Sequence, residues 1–297
     1  RKMKFAVQYS CTGNPTEVVD LVEMKMEDLK SDDILLDVLA AAINPSHLLA
    51  LSGDYGIQPD LPSVPGTEGL GRVVETGSAV TEFRQGDVVM IPPYAGTWRQ
   101  QVIVSARHIR LKFPPREKVS RGVHRQLAML MANPPTAWLL LNSVASLAPG
   151  DWIVQNAANS AVGQYVMQLA HLYGLKTVNV MRRDNLGDLV AQARGDACLV
   201  DGDDLADQVS EATGNRDVCL AIDAVAGDAT QRLADCLRDG STVVNYGLLS
   251  GEPCRLSPSD IVFRDIRLRG VWLTRWLRDK SKVDEQQKVY EELKNHV

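Results

Sequence analysis

Between residues 152 and 183 the chain places small and basic side chains where they could hold an anionic nucleotide. The apolar run Trp152-Ile153-Val154 leads into Asn156-Ala157-Ala158-Asn159-Ser160-Ala161-Val162-Gly163. Val162, Val166, Leu169, Ala170 and Tyr173 follow at helical spacing, then Val178-Asn179-Val180-Met181 and the pair Arg182-Arg183. A strand that enters a helix through small residues leaves backbone N–H groups unpaired at the helix start. With the positive end of the helix dipole, those donors suit a pyrophosphate. The full three-glycine fingerprint is absent, so small residues that merely pack a helix on its strand stay an alternative. At the end of the second strand a carboxylate would accept the ribose 2′-OH of NADH, whereas arginine meets the 2′-phosphate of NADPH. Arg182 and Arg183 point to NADPH, against the plainer reading of a solvated loop. Asp184 lies past the apolar run and reads as the N-cap of a helix over 185–194.

These residues need a framework, and the chain changes texture along its length. Before residue 113 it reads as short strands punctuated by Gly and Pro, at 4–8, 33–43, 71–75, 87–91 and 98–104. From about Gly150 strands and helices alternate: strand 152–155, helix 160–173, strand 177–181, helix 185–194, strand 197–200, helix 204–213, strand 218–224, helix 228–238, and strands 241–246 and 267–273. Alternation of that kind implies a parallel sheet with helices on both faces. A charged amphipathic helix is expected over 283–295. The predicted fold class is α/β, a β-rich domain over 1–118 followed by a doubly wound nucleotide-binding domain over 119–297.

Composition sets the outer bounds. The 297 residues, 45% of them hydrophobic, are enough for about two domains. A net charge of -5 argues against a general nucleic-acid binder. The longest apolar candidate, 127–141, is broken by Asn133-Pro134-Pro135, short of the roughly 18 residues a membrane helix needs. The expectation is a soluble protein with neither nucleic acid nor membrane as partner. Cysteines 11, 198, 219, 236 and 254 are odd in number and spread out, which fits reduced thiols better than a disulfide frame or a metal cluster. The expected location is the cytoplasm, of bacterial type, or the mitochondrial matrix if a leader preceded Arg1.

Several segments stand in the order and spacing of a known superfamily: Ile43-Asn44-Pro45-Ser46, Gly53-Asp54-Tyr55, Pro65-Gly66-Thr67-Glu68-Gly69, Gly86-Asp87-Val88-Val89 and Asn133-Pro134-Pro135-Thr136-Ala137. They resemble the medium-chain dehydrogenase/reductases, whose first domain is GroES-like and whose second is a Rossmann domain. Zinc-dependent members would carry Cys, His and Cys where this chain has Asn44, Thr67 and Asn133, so the resemblance implies a zinc-free member. Three further segments, 155–164, 245–251 and Leu268 to Trp276, are similar to mitochondrial-type trans-2-enoyl thioester reductases, the Trp272-Leu273-Thr274-Arg275-Trp276 run being the most specific. His47 replaces an aspartate usual in that family, Leu248 a glycine and Val271 a phenylalanine.

The resemblance implies NADPH-dependent reduction of an enoyl-CoA or enoyl-acyl-carrier-protein thioester, with hydride at Cβ and a proton at Cα. It assigns the proton to Tyr55, and a phenol, with a pKa of about 10, carries one at neutral pH. Asn44 and Thr67 would bond the substrate carbonyl or position the nicotinamide, or else be satisfied turn residues. Asn133, Asn159, Ser160, Ala161, Val162, Arg182, Arg183, Tyr246, Gly247, Val271 and Leu273 would line the cofactor. Trp272 would do so too and border the acyl chain, or be plain core. No metal is expected. Arg264, Arg267, Arg269, Arg275, Arg278 and Lys280 would steer an anionic thioester such as one on acyl carrier protein, or be ordinary surface residues. The strand over 267–273 would form a sheet edge on which a homodimer assembles. Relatives continue past the closing helix, so a C-terminal return to the first domain is expected to be missing. Two alternatives stay open: an NADPH-dependent quinone or enone reductase, and a nonenzymatic NADPH-binding protein.

Overall fold

The computed structural model describes residues 4–113 and 121–296. It divides into two compact units, Arg1–Ala132 with Val283–Val297, and Asn133–Lys282. The expected boundary between 118 and 119 falls in residues 114–120, outside the described residues. The units part instead after Ala132, because α2 (Arg121–Ala128) packs on strands of the first unit.

The first unit opens with an antiparallel pair, β1 (Lys4–Tyr9) and β2 (Val19–Met24). A five-stranded antiparallel sheet follows, built from β3 (Asp33–Ala41), β4 (Gly69–Thr76), β5 (Val88–Met90), β6 (Gln101–Ser105) and β7 (Lys112–Phe113), in the order β6-β3-β4-β5-β7. The period-two pattern works as expected for a sheet with one buried face: Ile34 and Leu36 on β3 meet Val102 and Val104 on β6, with Val73, Val89 and Ile91 beside them. An α-helix, α1 (Pro45–Ser52), stands between β3 and β4.

The second unit runs α3 (Asn133–Asn142), β8 (Trp152–Gln155), α4 (Ala161–Leu172), β9 (Lys176–Met181), α5 (Gly187–Gln192), β10 (Ala197–Val200), α6 (Leu205–Thr213), β11 (Val218–Asp223), α7 (Asp228–Asp235), β12 (Thr242–Asn245), α8 (Pro258–Phe263), β13 (Arg267–Gly270) and α9 (Leu273–Arg278). Its six strands are all parallel, in the order β10-β9-β8-β11-β12-β13. That is the 3-2-1-4-5-6 order of a doubly wound sheet, whose switch point lies between β8 and β11. Strands covered on both faces are continuously apolar: all six residues of β11 are buried. The prolines at 134 and 135, expected to break an apolar run, instead sit in the first turn of α3, where no N–H is needed.

The last helix, α10 (Val283–Lys294), belongs to the first unit and not, as its place in the sequence suggests, to the nucleotide-binding domain expected over 119–297 with no return. Buried Val289, Tyr290 and Leu293 form its apolar stripe, and the Gln287 side chain donates to the Arg110 carbonyl at 3.1 Å. All five cysteines are free thiols; Cys11 is exposed and Cys219 buried. Among the described residues no helix is long and apolar enough to cross a membrane.

Candidate active site and cofactor site

In the first unit the polar residues gather around α1. Asn44 caps its start with extended backbone (φ -106°, ψ 157°), and Pro45 fills the first turn. His47 stands where a capping box usually has Glu or Gln, and its Nδ1 accepts the Asn44 backbone N–H at 3.0 Å. Its Nε2 lies 2.8 Å from Thr67 Oγ1 and 3.1 Å from the Thr67 backbone nitrogen; with Nδ1 accepting, the neutral ring carries its proton on Nε2 and donates it to the hydroxyl oxygen. The ring is buried, edge-on to Trp98 at 5.6 Å. A second ring proton would have to sit on Nδ1, where it would meet the Asn44 N–H, a donor instead of an acceptor. Burial holds the imidazole down at about 4.

Beside it, the Asn44 Nδ2 donates to Glu68 Oε1 at 2.6 Å, and the Ala132 N–H donates to Oε2 at 2.9 Å. Glu68 is fully buried, and desolvation pushes its carboxyl up to about 7 against the pull of those two hydrogen bonds. The turn that presents Thr67 and Glu68 depends on Gly66 at φ 101°, because a Cβ there would lie 2.3 Å from Thr97 Oγ1 and 2.6 Å from the Trp98 ring.

The other end of α1 delivers Tyr55. Gly53, at φ 93°, closes the helix, and the N–H groups of Gly53, Asp54 and Tyr55 all turn back to the Leu49 carbonyl at 2.9 to 3.1 Å. Tyr55 is half-buried. One eight-residue helix thus carries Asn44 at its start and Tyr55 just past its end.

In the second unit the expected cofactor residues, Asn133 apart, lie beyond the carboxyl ends of the parallel strands, where open α/β sheets take ligands. After β8 the turn passes Ala157 in left-handed conformation (φ 46°) and exposed Asn159 to Ser160, whose hydroxyl caps α4 by accepting the Gly163 N–H at 3.1 Å. Helix geometry leaves the N–H groups of Ala161 and Val162 without an intrahelical acceptor. A Cβ at Gly163 would come 2.5 Å from the Ala158 carbonyl, so the helix start sits directly on its turn. Arg182 and Arg183 follow β9 and are exposed. Tyr246 and Gly247 follow β12. The Tyr246 hydroxyl, pushed up to about 12 by burial beside Ser160, is in no hydrogen bond of normal geometry. A Cβ on Gly247 would meet the Ala224 carbonyl at 2.7 Å. A buried hydroxyl left over, free helix N–H groups and a backbone open to close approach all fit a dinucleotide.

The expected strand over 267–273 ends at Gly270. Val271 leaves it, half-buried Trp272 becomes the N-cap of α9, and Leu273 begins that helix. Asn133 opens α3 and is buried. Asp184 does not cap α5, which starts later, at Gly187 after Leu186. Of the six basic residues, Arg264 is paired with Asp239 and Asp260, and Arg267 with Asp265.

Three functional candidates escaped the sequence reading. His47 and Glu68 lay inside segments singled out for other residues. Asp223, fully buried, ends β11 and accepts five hydrogen bonds, from Asn156 (2.7 Å), the Val225 and Ala226 N–H groups (2.9 and 3.0 Å), Thr230 (2.7 Å) and Asn245 (3.2 Å). It ties the ends of β8, β11 and β12 around the switch point. A lone acid closing an apolar run before Ala-Val-Ala-Gly was the signal for it.

The chain matches the family models for an alcohol dehydrogenase GroES-like domain over residues 30–114 and a zinc-binding dehydrogenase over 161–290. The donor set at the zinc positions does not fit that metal: the Asn44 amide is bonded to Glu68 and the Thr67 hydroxyl to His47, and neither replaces thiolate or imidazole. Among the described residues no three His, Cys, Asp or Glu are grouped to hold a metal ion. The chain is 36% identical over 291 residues to the mitochondrial enoyl-acyl-carrier-protein reductase of Caenorhabditis elegans, covering 96% of this chain and 82% of that one. Its fold is similar to the mitochondrial 2-enoyl thioester reductase of Candida tropicalis, solved as an Etr1p/Etr2p heterodimer and as Etr1p with NADP and crotonyl-CoA (TM-score 0.87, 24% identity, 99% of this chain and 88% of that chain in both). It is also similar to a putative NADPH:quinone reductase of Bacillus thuringiensis (TM-score 0.85, 26% identity, 99% and 86% covered). The chain belongs to the mitochondrial enoyl-acyl-carrier-protein reductase family within the medium-chain dehydrogenase/reductase superfamily.

Proposed function

We propose that the chain reduces trans-2-enoyl thioesters to saturated acyl thioesters with NADPH. The observation that carries this is α1, which sets the Asn44 amide at its start and the Tyr55 phenol just past its end, in a chain of the enoyl reductase family. NADPH, when bound, supplies the hydride that adds at Cβ. The Ala161 and Val162 N–H groups hold the pyrophosphate, and Arg182 and Arg183 the 2′-phosphate. Asn133, Asn159, Ser160, Tyr246, Gly247, Val271 and Leu273 line the rest of the cofactor, and Trp272 borders the acyl chain. Asn44, with one amide hydrogen committed to Glu68, and Thr67 steady the thioester carbonyl or the nicotinamide. Tyr55 keeps its proton until charge collects at Cα and delivers it there, which balances the addition.

The thioester is carried on coenzyme A or acyl carrier protein. Arg269, Arg275, Arg278 and Lys280 supply the positive charge for either, since Arg264 and Arg267 are in ion pairs. All four residues of β13 are exposed at the sheet edge, which supports a homodimer formed along it. The relatives' location supports the mitochondrial matrix.

NADPH oxidation followed with crotonyl-CoA, a 2-enoyl acyl carrier protein and a naphthoquinone tests the reading. Turnover of a thioester is expected. Turnover of the quinone alone would replace it with a quinone reductase, and NADPH binding without any turnover would replace it with a nonenzymatic role.

A further inference from the structure

We infer that Glu68 is a positioning residue for this reaction, holding the Asn44 side chain and the Met131–Ala132 peptide in place from inside the first unit; the inference rests on the reading that Asn44 meets the substrate or the nicotinamide. Each carboxylate oxygen has its own task. Oε1 takes the Asn44 amide at 2.6 Å, and Oε2 takes the Ala132 N–H at 2.9 Å. The carbonyl of that same peptide, on Met131, accepts the Tyr290 hydroxyl at 2.7 Å. One peptide plane is therefore gripped at both polar ends, directly before Asn133, where α3 begins. Glu68 itself is anchored through its own carbonyl, which accepts the Thr97 hydroxyl at 2.8 Å.

A fully buried acid is costly, and an apolar residue of the same size would avoid that cost. What no apolar residue supplies is a pair of acceptors facing two donors that lie 88 positions apart in sequence, Asn44 and Ala132. The neighbouring groups match that arrangement. His47, bonded to the Asn44 backbone, is kept neutral by burial. Tyr290, which holds the Met131 carbonyl, is fully buried. Fixing Asn44 Nδ2 on Glu68 also fixes which way the amide faces, so its polarity toward a thioester carbonyl is set before substrate arrives.

Glu68→Gln separates holding from mere filling, because a carboxamide has the same shape but one acceptor oxygen, and its NH2 confronts the second donor. In the full chain with crotonyl-CoA, kcat should fall about 10- to 100-fold while the NADPH KM changes less than about threefold. In 15N-labelled protein, the Asn44 side-chain or the Ala132 amide resonance should move, with those of the second unit's strands in place. An E68Q variant with wild-type kcat, or with both resonances unmoved, overturns the assignment. Should E68Q not fold, amide exchange in the wild type decides: Ala132 must exchange as slowly as the β3 and β4 amides, and fast exchange overturns the hold. A wild type that turns over no enoyl thioester overturns the proposed reaction and the role of Glu68 with it, even with the hold intact.

Discussion

Two buried carboxylates, one in each unit, are held in contrasting ways. Asp223 in the second unit accepts five hydrogen bonds, while Glu68 in the first accepts two and is driven up to about 7. An acid whose lone pairs are all occupied by fixed donors acts as scaffold, and its partners are strand ends and a helix start. One that is thinly supplied with donors is left responsive, and its partners lie beside the residues proposed to do chemistry. The comparison predicts that changes in the first unit show in rate and pH dependence, and changes in the second in stability and cofactor affinity.

The largest expected effect tests the first half of that statement. Tyr55→Phe removes the proposed proton and should lower kcat by about 10²- to 10⁴-fold, with NADPH affinity unchanged. An undiminished rate in steady-state assays would take Tyr55 out of the mechanism. Next comes the scaffold: Asp223→Ala strips the acceptor from five donors and should destabilise the protein by about 3 kcal/mol or more, read from urea unfolding. A loss under about 1 kcal/mol would dissolve the contrast with Glu68. Arg182→Ala should weaken NADPH about tenfold and NADH hardly at all, in fluorescence titrations; equal losses would count against 2′-phosphate recognition.

The smallest net effect is expected where two opposed slopes offset one another. Glu68 is raised from 4.5 to about 7, so the folded state binds more protons across that window and stability falls as pH climbs through it. His47 is lowered from 6.5 to about 4, so the unfolded state binds more protons there and stability rises with pH across that window. Each slope is at most about 1.4 kcal/mol per pH unit, and they offset one another between pH 4.5 and 6.5. Glu68→Gln should expose the rise and His47→Gln the fall, in unfolding midpoints at pH 5, 6 and 7. Parallel profiles for both variants and the wild type would break the account.

How legible all this was in the sequence follows the range of the forces involved. β8 and β10 were read to the residue, because short apolar runs bounded by Gly, Pro and polar residues mark buried strands. α1 was missed: eight residues with only Leu51 and His47 buried show no helical stripe. α3 was missed because its prolines read as a break and not as a first turn. The turn before α4 and the Arg182-Arg183 pair were proposed from local order, strand, turn, helix and basic pair, whereas Asn133, Tyr246, Gly247, Val271 and Leu273 came only from the family resemblance. Glu68 and His47 were not, since what makes them special is burial against partners 20 to 64 positions away, a property that no spacing displays.

The thiols carry a practical consequence. A thiolate, not a thiol, attacks an electrophile, and burial pushes Cys198 and Cys219 up and Cys236 to about 12, whereas Cys11 stands exposed just past β1. A maleimide dye at neutral pH should therefore attach at exposed Cys11 before Cys198, Cys219 and Cys236. That gives a fluorescent tag placed by the native chain, with no engineered cysteine.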